Sequence, residues 1–157
     1  KILINSLNLV KQKKIWILPN IDAGADLIRK TLIENRNSDT LIFKNLSREI
    51  YLTLLRRSKL IIGNSSSGIL EAPSYSVPAI NLGRRQNNRV QAKNVINSDF
   101  KKEKILLSIK KATSNKFINT CKKIKNPYGD GNSSNRIIEI LKKSIIDDKM
   151  LIKNITY

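Results

Sequence analysis

Short apolar runs separated by longer amphipathic stretches predict an α/β fold of the Rossmann-like, doubly wound kind, built on a mostly parallel sheet. Two further observations narrow the prediction. Successive runs are joined by two to six residues, as strands and helices are in α/β units. The small-residue segment Gly63-Asn-Ser-Ser-Ser-Gly68 directly follows one of the apolar runs, at the carboxyl end of a strand, where such a sheet meets its ligands.

The first dozen residues, up to Lys13, read as a helix preceding the first strand. Residues 14–18 form a buried strand stopped by Pro19, whose fixed φ and missing N–H end a ladder. Over 24–35, Leu27, Ile28, Thr31 and Leu32 fall on one helical face, and 40–43 is the next strand. Ser47 caps a helix running to Ser58, with Ile50, Leu54 and Leu55 inward and Glu49 in the first turn, where the helix dipole favours a carboxylate. Residues 60–63 are a third strand, 67–75 a short helix, 77–82 a fourth strand and 94–96 a short fifth. Helical periodicity returns at 101–113 and 133–149, joined by a less regular segment at 114–125. The first four strands are expected side by side in one central sheet, paired in parallel through crossovers.

A chain of 157 residues suits one domain. It has no histidine, which removes Ser-His-Asp triads, two-His zinc sites and imidazole acid–base chemistry. A single cysteine, Cys121, excludes an internal disulfide and a four-cysteine metal site. No metal and no cofactor is expected. No apolar run approaches the roughly 20 residues that cross a bilayer, and no cleavable leader is recognisable, so a soluble, cytoplasmic protein without a membrane partner is expected. The net charge of +18 raises nucleic acid as a partner. Residues 101–157 carry 14 basic and 5 acidic side chains, a net charge density about twice that of the preceding hundred. Their lysines occur as pairs, such as Lys110 with Lys111 and Lys122 with Lys123, set between apolar residues as on the solvated faces of helices. Specific nucleic-acid binding is therefore not expected.

The loops carry the chemistry. In Gly63–Gly68 small residues allow a tight turn, while hydroxyls and free N–H groups offer donors to an anion, best to phosphate. A plain strand-to-helix turn with a serine cap uses the same residues. No Gly-Lys-Ser/Thr follows, so it is not a Walker loop, and it is not the dinucleotide GxGxxG either. Glu71 lies about one turn further on, where the ribose of a nucleotide seated on that loop would lie, and a carboxylate accepts from both ribose hydroxyls. Equally, it suits an exposed first-turn glutamate favoured by the dipole. Gly83-Arg-Arg-Gln-Asn-Asn-Arg89 follows the fourth strand and brings three guanidinium groups, whose forks match phosphate oxygens.

Together, the 63–74 segment, the strand and glycine at 77–83, and Arg85-Gln86 with Arg89 resemble the hydrolysing UDP-N-acetylglucosamine 2-epimerases. Pro19-Asn-Ile-Asp-Ala-Gly24 and Tyr128-Gly-Asp-Gly-Asn132 extend the resemblance on both sides, in the same order. The resemblance implies that residues 1–157 are the UDP-binding, C-terminal Rossmann-like domain of a two-domain, GT-B-like enzyme, with the N-terminal catalytic half absent. It implies that Ser65 and Ser66, with Ser67 in the same loop, contact the diphosphate, that Glu71 holds the ribose, and that Arg85 or Arg89 forms the basic side of the site. Tyr51 falls where the family places an aromatic near the base, though it also suits a half-buried helix tyrosine. Asn20 and Asp22 lie on a loop that would face the cleft, and as a bare turn they need no function. Asn88 departs from the family, which usually has glycine before this arginine. The implied partners are a UDP-sugar, UDP, the other half of the enzyme and, as a candidate assembly, a second copy. The implied catalytic carboxylates and cleft histidine belong to the other domain or its junction, so this chain alone is expected to be inactive. The alternative is the nucleotide half of a GT-B glycosyltransferase, and a basic nucleic-acid-binding module is the weaker, non-enzyme rival.

Overall fold

The computed structural model of the protein describes residues 1–19, 24–145 and 152. The elements run α1 (Ile2–Leu7), β1 (Lys14–Ile17), α2 (Ala25–Glu34), β2 (Thr40–Phe43), α3 (Arg48–Arg57), β3 (Ile61–Gly63) and α4 (Ser67–Leu70). A 3-10 turn (Ala72–Tyr75) follows, then β4 (Ala79–Leu82), β5 (Val95–Ser98), α5 (Lys102–Ala112), α6 (Asn115–Cys121) and α7 (Ser133–Lys143). Every strand pair is parallel. The alternation and the Rossmann-like, parallel α/β class are as the sequence predicts. Residues 1–127 form one compact unit and 128–157 a second.

The hydrogen-bonded sheet, however, is in two pieces: β1 pairs with β2, and β3, β4 and β5 form a separate ladder in that order. The single four-strand sheet expected from the sequence is thus corrected. Burial supplies the physical reason. The second ladder has its own core, in which Ile80, Leu82 and Ile96 pack with Ile105 and Ala112 of α5, and Leu3 of α1 and Phe117 of α6 join it. On its other side, Leu55 of α3 packs with Ala72 and Val77. Helices therefore cover both faces, as double winding requires. β1 and β2 lack such cover. Ile15 and Ile17 are 43% and 42% exposed, and Leu27, which the periodicity of α2 turns inward, is 72% exposed. Trp16 of β1 is buried, but no described residue of β1 or β2 joins the two clusters around the second ladder, so apolar packing does not draw the two ladders into one hydrogen-bond register.

Local chemistry sets the remaining boundaries. Ser47 accepts from the Ile50 N–H at 3.4 Å and opens α3, with Glu49 in the first turn and Arg56 and Arg57 in the last. Ser114 caps α6 in the same way, through the Phe117 N–H at 3.3 Å, so the less regular segment at 114–125 contains a regular helix. The helix expected over 67–75 is instead four α-helical residues followed by a 3-10 turn, because Pro73 has no N–H to donate. β4 begins at Ala79, just beyond Pro78, rather than at Val77. α1 stops at Leu7, short of Lys13. α7 ends at Lys143, and the rest of the helix expected to 149 lies largely outside the described residues. In the second unit, Arg136 grips Asp130 with both guanidinium nitrogens, at 2.8 and 2.6 Å, and the Asn132 N–H donates to the same carboxylate at 3.0 Å. The Arg136 bonds, reinforced by that N–H, hold the Asp130 carboxyl well below the usual carboxylate range.

Where α4 meets the sheet, packing decides the residue. A Cβ on Gly68 would stand 3.2 Å from the Cβ of Ala79, so glycine permits the approach of α4 to β4. Asn94, with no exposed surface, donates to the Gly68 carbonyl at 3.3 Å and to the Val77 carbonyl at 3.0 Å. Its backbone carbonyl accepts from the Ala79 N–H at 2.8 Å. Asn94→Leu keeps the volume but leaves two buried carbonyls without a donor, and is expected to destabilise the fold by about 2–4 kcal/mol. Urea unfolding measures this; a cost under about 0.5 kcal/mol would show that the amide staples nothing.

Candidate functional site

The loops after β3 and β4 meet at the carboxyl edge of the second ladder. Asn64 and Ser65 are exposed, Ser66 is half-buried and Ser67 is buried. Ser65 Oγ accepts from the Ser67 N–H at 3.3 Å, which folds the loop into a tight turn. The N–H groups of Ser65 and Ser66 donate to no atom of the described residues. Two free N–H groups beside two serine hydroxyls are the elements of an oxyanion cradle.

Ser67 is tied elsewhere. Its hydroxyl hydrogen-bonds the Tyr51 hydroxyl, which reaches it from α3. Glu71 sits at the junction of α4 and the 3-10 turn, not in a first helical turn, so the dipole does not account for it. Its Oε2 is buried and has no hydrogen-bond partner among the described residues. Burial, reinforced by the negative charge of Glu71 and opposed by the bond to Ser67, pushes the Tyr51 hydroxyl pKa up. Tyr51 therefore stays neutral, with its hydroxyl on Ser67. Ser65, Ser67, Tyr51 and Glu71 are one connected cluster.

Arg85 and Arg89 lie exposed on the β4–β5 loop and make no ion pair among the described residues. That loop opens at Gly83, with φ of 76° and the Phe100 ring 2.9 Å from where a Cβ would stand, so only glycine fits. Asn88, the departure from the family pattern, has φ of 66°. This is the left-handed region that glycine occupies freely and asparagine tolerates best among the other residues. Asn20 and Asp22 lie outside the described residues.

Two buried amides at this edge lie within the family motifs, which give them no role. Gln86 is 2% exposed and donates to the Asn64 carbonyl at 2.8 Å, joining the arginine loop to the serine loop. Asn81 donates to Asn97, its register partner on β5, at 2.8 Å. Asn97 in turn donates to Gln91 at 2.8 Å. Asn81 and Ser65 help line a cavity of about 10 Å³, room for one water at most. An asparagine inside an otherwise apolar strand was the available signal for Asn81; Gln86 stood in the family motif between Arg85 and Arg89, with no role of its own.

With this geometry, comparison with known proteins is decisive. The UDP-N-acetylglucosamine 2-epimerase family profile matches residues 2–142. The chain belongs to that family. It is 37% identical over 140 residues to the UDP-N,N'-diacetylbacillosamine 2-epimerase (hydrolyzing) of Legionella pneumophila, covering 88% of this chain and 36% of that protein. It is 34% identical to the GDP/UDP-N,N'-diacetylbacillosamine 2-epimerase (hydrolyzing) of Campylobacter jejuni, covering 98% and 41%. The UDP-N-acetylglucosamine 2-epimerase of Neisseria meningitidis matches at 38% identity, over 69% of this chain and 29% of its own length. Among solved structures, the Methanocaldococcus jannaschii UDP-GlcNAc 2-epimerase in complex with UDP-GlcNAc and UDP superposes with a TM-score of 0.68 at 23% identity, covering 91% of this chain and 39% of that one. That likeness carries the fold. The chain thus spans between 29% and 41% of the length of these curated relatives. Among the described residues, no helix is long and apolar enough to cross a membrane.

A spectrophotometric titration tests the Tyr51 environment. Because the folded pKa lies above the ordinary value of 10.0, one of the four tyrosines should ionise after the rest, and Tyr51→Phe should abolish that late phase. The sign follows: the neutral hydroxyl's contribution to stability is complete below pH 10 and is lost as pH rises through the folded pKa.

Proposed function

We propose that this chain is the UDP-binding, C-terminal half of a hydrolysing UDP-N-acetylglucosamine 2-epimerase. The observation that carries the reading is the pairing of two free N–H groups at Ser65 and Ser66 with a buried, unpartnered carboxylate oxygen on Glu71. Such an oxygen costs free energy unless a donor reaches it, and a ribose supplies two hydroxyls. The diphosphate takes the N–H groups and hydroxyls of Ser65 and Ser66, with Ser67 held behind them by Tyr51. Arg85 and Arg89 approach from the neighbouring loop. The names of the Legionella and Campylobacter relatives support the hydrolysing outcome.

In the reaction this reading implies, a base on the other half removes the C2 proton of the hexosamine while the C1–O bond breaks and UDP leaves, giving a glycal. Water then adds across the double bond, its oxygen to C1 and a proton to C2 on the opposite face, to yield the free 2-epimeric sugar. The share of this chain is to hold UDP and take up the charge that builds on the departing diphosphate. Donors fixed in place before the reaction are effective there because they need not reorganise, and losing one typically costs a few kcal/mol of barrier. The substrate is a UDP-HexNAc, and the product a precursor of sialic-acid-like sugars. We place the enzyme in the cytoplasm and expect this chain alone not to turn over. A GT-B transferase would differ in passing the sugar to an acceptor instead of water.

Calorimetry tests the assignment. Glu71→Ala should weaken UDP by about tenfold, as loss of a charge-assisted hydrogen bond does, while inorganic pyrophosphate, which has no ribose, binds as before. Equal weakening of both ligands would sink the ribose assignment.

One observation favours the basic-module reading: a hollow of about 690 Å³ lined in part by Lys93, Lys116, Lys123 and Lys125. No aromatic side chain among the described residues lines it, and single strands bind largely by stacking on aromatics. Random DNA should therefore bind weakly and lose its affinity steeply toward physiological salt, as counterion release dictates, while UDP affinity falls far less. Tight DNA binding at about 150 mM salt without saturable UDP binding would reverse the choice.

A further inference from the structure

Gln86 is buried between the two loops of the site, yet only half of its amide is used: Nε2 donates to the Asn64 carbonyl at 2.8 Å, while Oε1 is buried without a partner among the described residues. The orientation of the amide follows from chemistry, since a carbonyl accepts and Nε2 is the end that donates. A side chain present only to fill space would do so better without a stranded acceptor. The partner of Gln86 explains its retention. No peptide bond among the described residues is cis, and in a trans peptide the C=O and the next N–H point in opposite directions. A grip on the Asn64 carbonyl therefore turns the Ser65 N–H away from Gln86, with no protein acceptor among the described residues. We propose that Gln86 is a positioning residue that orients the Ser65 N–H, and with it the serine loop, for a diphosphate. The role rests on the nucleotide reading above, and it makes the arginine loop a support of the serine loop as well as a source of charge.

The experiment uses the full 157-residue chain and two variants. Gln86→Met keeps the length without the donor; Gln86→Glu keeps the shape and, at pH 8, sets an acceptor against the Asn64 carbonyl. In the ligand-free chain, ¹⁵N relaxation should show the Ser65 and Ser66 amides losing order in both variants while the amides of β4 and β5 do not change. UDP and inorganic pyrophosphate should then weaken by the same factor, about tenfold, unlike the split expected for Glu71→Ala. Unchanged Ser65 and Ser66 amides overturn the role whatever UDP does, and so does order lost throughout the chain, which marks ordinary packing. Unequal weakening of the two ligands also overturns it. A wild-type chain that takes up no UDP overturns the nucleotide reading instead, and the loop amides still decide the role of Gln86.

Discussion

One buried amide holds together the part of the molecule on which the site stands. Asn94 begins the return of the chain into β5, and from there its side chain donates to carbonyls of α4 and of the segment before β4 while its backbone carbonyl accepts from β4. These segments must close on one another because α4 lies against β4 at Gly68, where no Cβ is present to keep them apart. The serine loop leads directly into α4, so whatever fixes that helix fixes the loop. α4 is only four residues long, and so short a helix brings little dipole of its own to an anion. The cradle depends instead on individual N–H groups and hydroxyls, and hence on the packing that keeps them in place.

The same logic separates what charge does from what neutral donors do. Basic side chains are abundant and mostly solvated, and an exposed guanidinium contributes little until a ligand excludes water from it. Arg85 and Arg89 are of this kind. Tyr51, Ser67, Gln86 and Asn81 are neutral, at least half withdrawn from solvent and already bonded. On the proposed reading, buried neutral groups that set the geometry, joined by exposed cations, select for the shape of a diphosphate more than for its charge. That division suits a chain with so large a positive excess, in which charge alone would discriminate poorly between anions.

How much of this was legible in the sequence follows from the range of the interactions. α3 was readable because its signals are local: Ser47 caps it, Glu49 and the paired arginines suit its ends, and Leu55 is buried at the expected spacing, although Ile50, expected inward with it, is exposed. The parallel strands and the serine loop were readable from apolar runs and small residues. The division into two ladders was not, because the apolar pattern of Ile15, Ile17 and Leu27 does not say whether anything packs on it. Pro73 signalled a break that the reading of one helix over 67–75 passed over. At the site, Ser65, Ser67, Tyr51 and Glu71 came together as a cluster, but the Tyr51–Ser67 bond spans sixteen positions and leaves no local trace. Gln86 reaches across twenty-two, and a glutamine in a polar loop looks the same whether buried or solvated. Asn88 shows the reverse: as a sequence it was a departure from the family, and as a conformation it fits, since the residue that replaces glycine is the one that tolerates the left-handed region.

Carrying the reading into catalysis constrains where the two kinds of group belong. Breaking the C1–O bond moves negative charge onto the diphosphate, so the donors facing it act most in the transition state if they are already aligned in the free protein. Removing and returning the C2 proton needs groups that titrate near neutrality, and a chain without histidine whose serine loop is built from hydroxyls, amides and N–H groups is poorly suited to that. On the proposed reading, the composition and the geometry suit this chain to the leaving group rather than to the proton. They also place the demand for accuracy on the direction of a few N–H bonds, which a buried amide on a neighbouring loop can enforce and a mobile surface charge cannot.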